Sequence, residues 1–378
     1  MYSKCKNSKS MIFIRWDAVC TLRNFFIRRD AVCTLVFLLF FCIGLNANIK
    51  SLWVTPWDIT SEEKVLQVIE DAKDWGITDL LVEVRYRGDT FYVPNRIYND
   101  FPNFEPVSYL LSENPYFDAL QTFIDNLKGS NIRLHAWVTV NVITTRRIET
   151  IQEDHLYFTR PEWLTHNANG NRIRFEQFEG AFLDPGVPEV KEYLVNIFSD
   201  IVQNYDIDGL HLDYIRYPAT AYGHNPISVE RFHNQSSIDS FSRWKEIQIM
   251  DLIEMIGKSV KEMKPNLIYS AAVFSNLNVA INNYSQNWLE WLDIELVDYV
   301  YIMAYQTRNR DFEQIVTNIP MRYRNKVVVG LRAWSDDGTY SSQSLRDKVV
   351  LTPEGYAGIC FFSYGGIIQR SYQSVIRR

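Results

Sequence analysis

The chain has 378 residues, of which 47% are hydrophobic, and its formal net charge is -6. This apolar content is enough for a sizeable core, and a single barrel domain commonly uses about 250 residues or more. The negative charge argues against a nucleic-acid partner, because such a partner usually needs a basic face.

Residues 1–47 are predicted to be a signal peptide or an N-terminal membrane segment rather than part of the fold. Two arginines precede an uncharged run at 31–47, and this order is typical of a secretory signal. The run is short for a membrane span, which needs roughly 20 apolar residues. We therefore expect an exported protein, periplasmic or extracellular. The alternatives are a membrane anchor retained through residues 31–47 and a lipid attached at Cys42.

Residues 48–378 are predicted to form one α/β domain, because short apolar runs alternate with amphipathic stretches. Eight such runs predict a closed (β/α)8 TIM barrel. They lie at 51–57, 79–87, 133–140, 209–217, 268–274, 299–305, 327–333 and 358–364. Helices are predicted from Ser61 to about residue 75, at 188–205 and at 242–263.

Two of the predicted loops are extended. Residues 88–115 follow the second strand, and residues 142–186 follow the third, with a small hairpin predicted around the turn at 167–170. Because both loops leave the carboxyl end of a strand, both are expected on the catalytic face of a barrel.

Alternating side chains along the strands predict which residues face the barrel interior. In the second strand, Glu83, Arg85 and Arg87 share a face, while the other face is apolar. In the fourth strand, His211 and Asp213 likewise share one face, opposite an apolar face. The polar sets are assigned to the interior, since the opposite sets suit contact with helices.

Two of these interior carboxylates, Asp213 and Glu83, are the predicted catalytic groups. Inward residues of alternate strands form common layers, so the two are expected at similar height on the second and fourth strands. A pair of carboxylates facing one cavity can hydrolyse a glycosidic bond. A separation of about 5–5.5 Å favours retention of configuration, and about 6.5–9.5 Å favours inversion.

Structural roles compete with these assignments. Asp213 can instead pair with Arg216, and Glu83 can pair with a neighbouring arginine. Other candidates for the second carboxylate follow later strands or precede a helix. The one that precedes a helix, Asp184, can instead act as a helix cap. These other candidates are Asp184, Asp311, Asp336 and Asp337.

Substrate-binding side chains are expected near the strand ends. Arg85 and Arg216 can hold hydroxyls or a carboxylate, and Asn141 can hydrogen-bond a sugar hydroxyl. Five aromatic residues can stack on sugar rings, namely Trp57, Trp137, Tyr217, Tyr305 and Trp334. No metal and no other cofactor is predicted, because neither a metal-ligand motif nor a glycine-rich phosphate loop occurs.

Several stretches of the chain resemble glycosyl-hydrolase-like family 10, formerly labelled a domain of unknown function and also called family 10 glycosylhydrolases. The matching stretches are Leu-Val-Glu-Val-Arg-Tyr-Arg-Gly-Asp at 81–89, Tyr-Phe-Asp-Ala-Leu at 116–120, His-Ala-Trp-Val at 135–138, Leu-Asp-Pro-Gly at 183–186, Asp-Gly-Leu-His-Leu-Asp-Tyr-Ile-Arg-Tyr-Pro at 208–218 and Tyr-Ile-Met-Ala-Tyr at 301–305. The resemblance implies a TIM barrel that hydrolyses glycosides, with the family's aspartate of the fourth strand at Asp213. Many members of the family carry glutamine where this chain has Glu83.

The sequence thus predicts an exported glycoside hydrolase acting on an extracellular or cell-envelope polysaccharide, with the glycan of peptidoglycan as one candidate. Arginines in the cleft would suit a glycan that carries carboxylates. The alternative is a carbohydrate-binding barrel of the cell envelope without catalytic activity. No nucleic-acid partner is expected, and a membrane is expected to contact only the N-terminal segment.

Overall fold

The computed structural model describes residues 49–235 and 237–377, so the predicted N-terminal segment lies outside the described residues. Within these ranges, no helix is both long and apolar enough to cross a membrane.

The described residues form a closed barrel of eight parallel strands, as predicted. The barrel strands are β1 (Ile49–Val54), β2 (Asp79–Tyr86), β4 (Arg133–Thr139), β5 (Gly209–Asp213), β6 (Ile268–Phe274), β7 (Tyr299–Ala304), β8 (Val327–Arg332) and β9 (Gly358–Phe362). Each pairs with its neighbour in this order, and β1 pairs with both β2 and β9 to close the sheet. A two-residue strand, β3 (Asp89–Thr90), adds an antiparallel pair to the end of β2.

Helices connect the strands and cover the outside of the barrel. They are α1 (Glu62–Asp74), α2 (Ala119–Leu127), α3 (Leu156–Thr159), α4 (Pro188–Asn204), α5 (Pro226–Asn234), α6 (Phe241–Met263), α7 (Leu277–Tyr284), α8 (Trp288–Asp293), α9 (Asn309–Asn318), α10 (Met321–Arg324), α11 (Ser342–Leu351), α12 (Tyr364–Arg370) and α13 (Gln373–Ile376). Short 3-10 helices occupy Pro56–Asp58, Tyr109–Leu111, Ile148–Thr150 and Pro161–Trp163.

Local sequence signals explain where the predicted helices begin and end. The Ser61 side chain accepts a hydrogen bond from the amide of Lys64 and so caps α1. Gly76, with φ 64°, stops that helix, because glycine adopts the left-handed region without strain. Pro188 begins α4 at the first turn, where the amide hydrogen that proline lacks is not needed.

Two apolar clusters form on the two faces of the sheet. The larger one lies between strands and helices, while a smaller one fills the barrel around Trp53, Trp137 and Tyr301. The interior also holds His211, whose Nε2 accepts from the indole of Trp53 and whose Nδ1 lies 2.9 Å from Ser270 Oγ. His135 bonds Asp79 at 2.9 Å. Both histidines are therefore buried, hydrogen-bonded core residues.

The predicted alternation fails at one place, the carboxyl half of β2. Glu83 pairs with Trp137, but the next pair joins Arg85 to Val138, so β2 contains one extra residue. Such a bulge reverses the facing of the strand residues that follow it, here Arg85 and Tyr86. Arg85 consequently faces outward with Val138, and Tyr86 faces the interior, contrary to the predicted assignment.

The first extended loop also departs from the prediction. After β3 it runs along the outside of the barrel toward the carboxyl end of α4. There the amides of Val93 and Asn95 bond Tyr205 and Asp200. Of the two extended loops, only the second, at 142–186, contributes to the cavity described below, because the first folds away from it.

Candidate active site

A cavity of about 420 Å³ opens at the carboxyl end of the barrel strands. This is where barrel enzymes place their active sites, because the loops that follow the strands meet there. Acidic, basic and aromatic side chains line it. The lining residues are Trp53, Thr55, Trp57, Glu83, Tyr86, Arg87, Trp137, Glu179, Asp213, Tyr214, Arg216, Ala272, Phe274, Met303, Tyr305, Trp334 and Phe362.

Asp213 ends β5 and presents its carboxylate to this cavity. Its Oδ1 accepts a hydrogen bond from the amide of Tyr214 at 2.7 Å, and its Oδ2 accepts one from the Trp137 indole at 3.2 Å. Burial raises the pKa of Asp213, whereas these two donors and the nearby Arg216 and Arg87 oppose that rise. The two N–H donors orient the carboxylate and favour its ionised form.

Glu83 has a different environment, although it lines the same cavity. Its residue surface is only 4% exposed, and the carboxylate accepts no hydrogen bond from the described residues. Burial raises the pKa of Glu83 well above the ordinary glutamate value, and the negative charge of Asp213 adds to the rise, while Arg87 opposes it. Of the two carboxyls, Glu83 is therefore the one that holds its proton more readily.

This burial predicts that the stability of the protein depends on pH through Glu83. Because the folded-state pKa lies above the unfolded one, the stabilisation linked to Glu83 is complete below the ordinary value of 4.5 and is lost as the pH rises through the folded pKa. We expect Glu83→Gln to remove this loss. Urea unfolding across this pH range should show the variant gaining stability over the native protein as pH rises, and a constant difference would contradict the expectation.

Sequence reasoning did not find a third carboxylate of the cavity, Glu179. It lies in the loop after β4 and is 43% exposed, and its Oε1 accepts from Arg216 Nη2 at 3.2 Å. The loop was predicted on the catalytic face, but no periodicity distinguishes Glu179 from Glu176 in an irregular segment. Only its contact with Arg216 in the folded structure identifies it.

Arg216 reaches Glu179 from within a ring of aromatic side chains. Its guanidinium carbon lies 4.8–5.5 Å from the ring centroids of Phe182, Tyr214, Phe274 and Tyr284. Such contacts stabilise a desolvated cation and hold it in place. Arg216 thus lines the cavity, as predicted, while one of its nitrogens is engaged by Glu179.

Arg87, Tyr86 and Tyr214 also line the cavity, although none was among the predicted site residues. The guanidinium of Arg87 lies over the rings of Tyr86 and Tyr214, at 5.2 and 4.7 Å. Its Nε and Nη1 are buried without a partner among the described residues. The signal for Arg87 was its place on the predicted interior face with Glu83, and the signal for Tyr214 was its place directly after Asp213. The bulge in β2 concealed Tyr86.

Four of the predicted aromatic residues do lie around the cavity. Trp57 stands at the rim, 51% exposed, with its ring 5.4 Å from that of Tyr86. Trp137 lies at the bottom beside Asp213. Tyr305 and Trp334 pack against each other, with their ring centroids 5.0 Å apart. The cavity therefore has flat apolar surfaces at its bottom and walls, next to the carboxylates.

Three predicted substrate contacts do not reach the cavity, and the structure corrects these expectations. Arg85 faces outward because of the bulge in β2. Asn141 is buried and donates to the carbonyl of Arg216, so it joins two loops instead. Tyr217 is fully buried, with its hydroxyl 3.4 Å from Asp184.

The alternative carboxylates also lie outside the cavity. Asp184 is fully buried and accepts from the side chains of Thr165 and Ser228 and from the amides of Gly186 and Asn225, so it ties the loops after β4 and β5 together. Three others are engaged in local contacts at the surface. Asp311 pairs with Arg308, Asp336 with Arg332, and Asp337 with Thr339.

The outward position of Arg85 predicts a structural effect of its substitution. Its Nε donates to Glu105 Oε2 at 2.8 Å, and both side chains are almost completely buried. We expect Arg85→Met to lower the free energy of unfolding by about 3–5 kcal/mol, because Glu105 is left as an unpaired buried charge. The double variant Arg85→Met/Glu105→Gln should recover most of this loss in urea unfolding. A stable Arg85→Met protein would contradict this role.

Sequence comparisons match most of the chain to one family model and to curated proteins. The model of the glycosyl hydrolase-like 10 family matches residues 47–329. Glycosyl hydrolase YngK of Bacillus subtilis (strain 168) is 24% identical over 264 residues, covering 65% of this chain and 49% of that protein. Glycosyl hydrolase DigH of Escherichia coli (strain K12) is 22% identical over 272 residues, covering 65% of this chain and 58% of that protein. The chain thus spans about half the length of these curated relatives.

Solved structures share the barrel. The PgaB (BpsB) glycoside hydrolase domain from Bordetella bronchiseptica superposes with a TM-score of 0.64 at 14% identity, covering 87% of this chain and 97% of that chain. Alpha-L-fucosidase isoenzyme 2 from Paenibacillus thiaminolyticus gives a TM-score of 0.60 at 12% identity, covering 87% of this chain and 48% of that chain. At this identity the likeness establishes the fold.

Proposed function

The chain belongs to the glycosyl hydrolase-like 10 family, and from this premise we propose that it is a glycoside hydrolase that cleaves O-glycosidic bonds of a polysaccharide. The observation that carries the proposal is the pair of carboxylates, Asp213 and Glu83, facing one cavity with aromatic walls. Their unequal surroundings supply the two protonation states that glycoside hydrolysis requires.

In the proposed reaction, protonated Glu83 is the general acid and ionised Asp213 is the nucleophile or general base. The glycosidic C–O bond breaks as Glu83 transfers its proton to the leaving oxygen. Asp213 either attacks the anomeric carbon, with water completing hydrolysis in a second step, or removes a proton from the attacking water. The N–H donors on Asp213 support its ionised role, and the burial of Glu83 supports its protonated role.

Four aromatic residues are proposed to hold the sugar rings, because flat apolar side chains pack against the C–H faces of pyranoses. The exposed ring of Trp57 is the proposed platform at the rim, and Trp137 is the proposed one beside Asp213. Tyr305 and Trp334 are proposed to form the facing wall. Arg216 is proposed to act on substrate chiefly through the position of Glu179.

We also propose that the enzyme is exported and acts on an extracellular or cell-envelope polysaccharide, such as the glycan of peptidoglycan. The support is the charged and then apolar order of residues 1–47. The intact mass of the native protein tests this. Loss of about the first 47 residues is expected on cleavage, whereas a mass that includes residues 31–47 would indicate a retained anchor.

The proposed activity is tested by incubating the purified protein with peptidoglycan glycan strands and a panel of neutral, amino-sugar and uronic-acid polysaccharides. We expect new reducing ends to appear from at least one glycan and to disappear with Asp213→Asn. Saturable binding without product release over long incubation would instead support a carbohydrate-binding barrel without catalytic activity.

A further inference from the structure

Tyr214 follows Asp213 directly and has an unusual backbone conformation. Its φ is 51°, in the left-handed region that bulky residues rarely adopt. A conformation of this kind is strained and persists where the surroundings enforce it, often at functional sites. Here it turns the amide of Tyr214 back onto Asp213 Oδ1, at 2.7 Å.

The ring of Tyr214 contacts both arginines of the cavity. The guanidinium carbons of Arg87 and Arg216 lie 4.7 and 4.8 Å from its centroid. Arg87 Nη2 also lies 3.4 Å from the phenol oxygen, which accepts its hydrogen bond. One aromatic ring therefore locates two cations that come from different strands of the barrel.

Each of the two cations interacts with two of the three carboxylates of the cavity. Arg216 donates to Glu179 and acts electrostatically on Asp213. Arg87 acts on Asp213 and on Glu83. By holding these arginines, the Tyr214 ring influences the electrostatic surroundings of both groups of the proposed reaction, Asp213 and Glu83.

We propose that Tyr214 is a positioning residue of this site, whose amide orients Asp213 and whose ring holds Arg87 and Arg216 beside it. A role for Tyr214 in catalysis rests on the proposed function. The contacts of Tyr214 with Asp213, Arg87 and Arg216 do not depend on any substrate. Tyr214 does not react in this scheme. It sets the electrostatic surroundings of the groups that do.

The expected signature is a change in the titration of Asp213. Its charged neighbours are Arg216 from its own loop, Glu83 from β2 and Arg87 directly after β2, and Tyr305 faces it from the end of β7. Burial raises the pKa of Asp213, and the two arginines counteract this. If the ring no longer holds the guanidinium groups close, the pKa of Asp213 should rise further.

Tyr214→Asn is the informative variant, because asparagine tolerates the left-handed backbone while removing the ring. Tyr214→Phe keeps the ring and loses only the phenol oxygen. Protein labelled with ¹³C at the aspartate carboxyl carbons is titrated by NMR, and the signal of Asp213 is assigned by its loss in Asp213→Asn. We expect a clear upward shift of the Asp213 titration in Tyr214→Asn and a smaller one in Tyr214→Phe.

Tyr92→Leu is the matched control, because Tyr92 is a buried tyrosine outside the cavity. It should lower stability without moving the titration of Asp213. A folded Tyr214→Asn protein with an unchanged Asp213 titration would overturn the proposal. If Tyr214→Asn does not fold, Tyr214→Gly takes its place under the same criterion. The titration of Asp213 uses no substrate. Failure to cleave any glycan would therefore count against the proposed function, but it would not change what the titration says about Tyr214.

Discussion

We expect Asp213→Asn to lower kcat/KM on a responsive glycan by at least about a thousandfold. Asparagine has nearly the same shape as aspartate, and its single side-chain oxygen can still accept one of the two hydrogen bonds that Trp137 and Tyr214 donate to Asp213. It carries no negative charge, so it can neither attack the anomeric carbon nor take a proton from water. The measurement is the rate of reducing-end formation at saturating and limiting glycan concentrations.

Asp336→Asn is the control for this prediction. Asp336 follows β8 on the same face of the barrel, but it is exposed, pairs with Arg332 and does not line the cavity. The same chemical change there should leave the rate within about twofold, as surface substitutions usually do. If a correctly folded Asp213→Asn protein retained more than a tenth of the native rate, Asp213 would not be the central catalytic group.

The second large effect is expected at Glu83. Glu83→Gln should lower kcat by about 10²–10⁴-fold on natural glycans, because a sugar leaving group needs a proton as the bond breaks. With 4-nitrophenyl glycosides the loss should be much smaller, because nitrophenolate departs without protonation. Burial raises the pKa of Glu83, so activity of the native protein should persist above the ordinary glutamate pKa and then fall. This fall at high pH should be absent from the variant.

Glu179 provides the comparison for Glu83. It is 43% exposed and already pairs with Arg216, so Glu179→Gln is expected to change kcat by less than about tenfold, without dependence on the leaving group. If Glu179→Gln instead showed the loss that depends on the leaving group and Glu83→Gln did not, Glu179 would be the acid that works with Asp213. The two single variants therefore assign the second carboxylate.

Two left-handed residues flank the proposed catalytic pair. Arg87, with φ 59°, follows β2 four residues after Glu83, and Tyr214, with φ 51°, follows Asp213 directly. His155 donates from Nε2 to the carbonyl of Arg87 at 3.0 Å and so supports that turn. The chain thus uses strained turns at both strand ends to direct a guanidinium and an amide toward the cavity.

Much of the fold follows from properties that are local in the sequence. Apolar runs bounded by capped helices predicted all eight barrel strands, with ends that differ from the structure by a few residues. The alternation of β5 placed Asp213 at the top of an interior face, because facing along a regular strand depends only on the parity of the residue number. The three predicted helices followed from local start and stop signals and correspond to α1, α4 and α6.

The tertiary structure decided what depends on a neighbouring segment. The bulge in β2 is defined only by the pairing of β2 with β4, and it turned Arg85 outward to Glu105 and Tyr86 inward. Glu179 reaches the cavity because an irregular loop folds back onto Arg216, which no periodicity encodes. The sequence by itself thus determined the barrel and the position of Asp213. The partners of Asp213 depend on contacts between segments distant in the chain, so only the folded molecule reveals them.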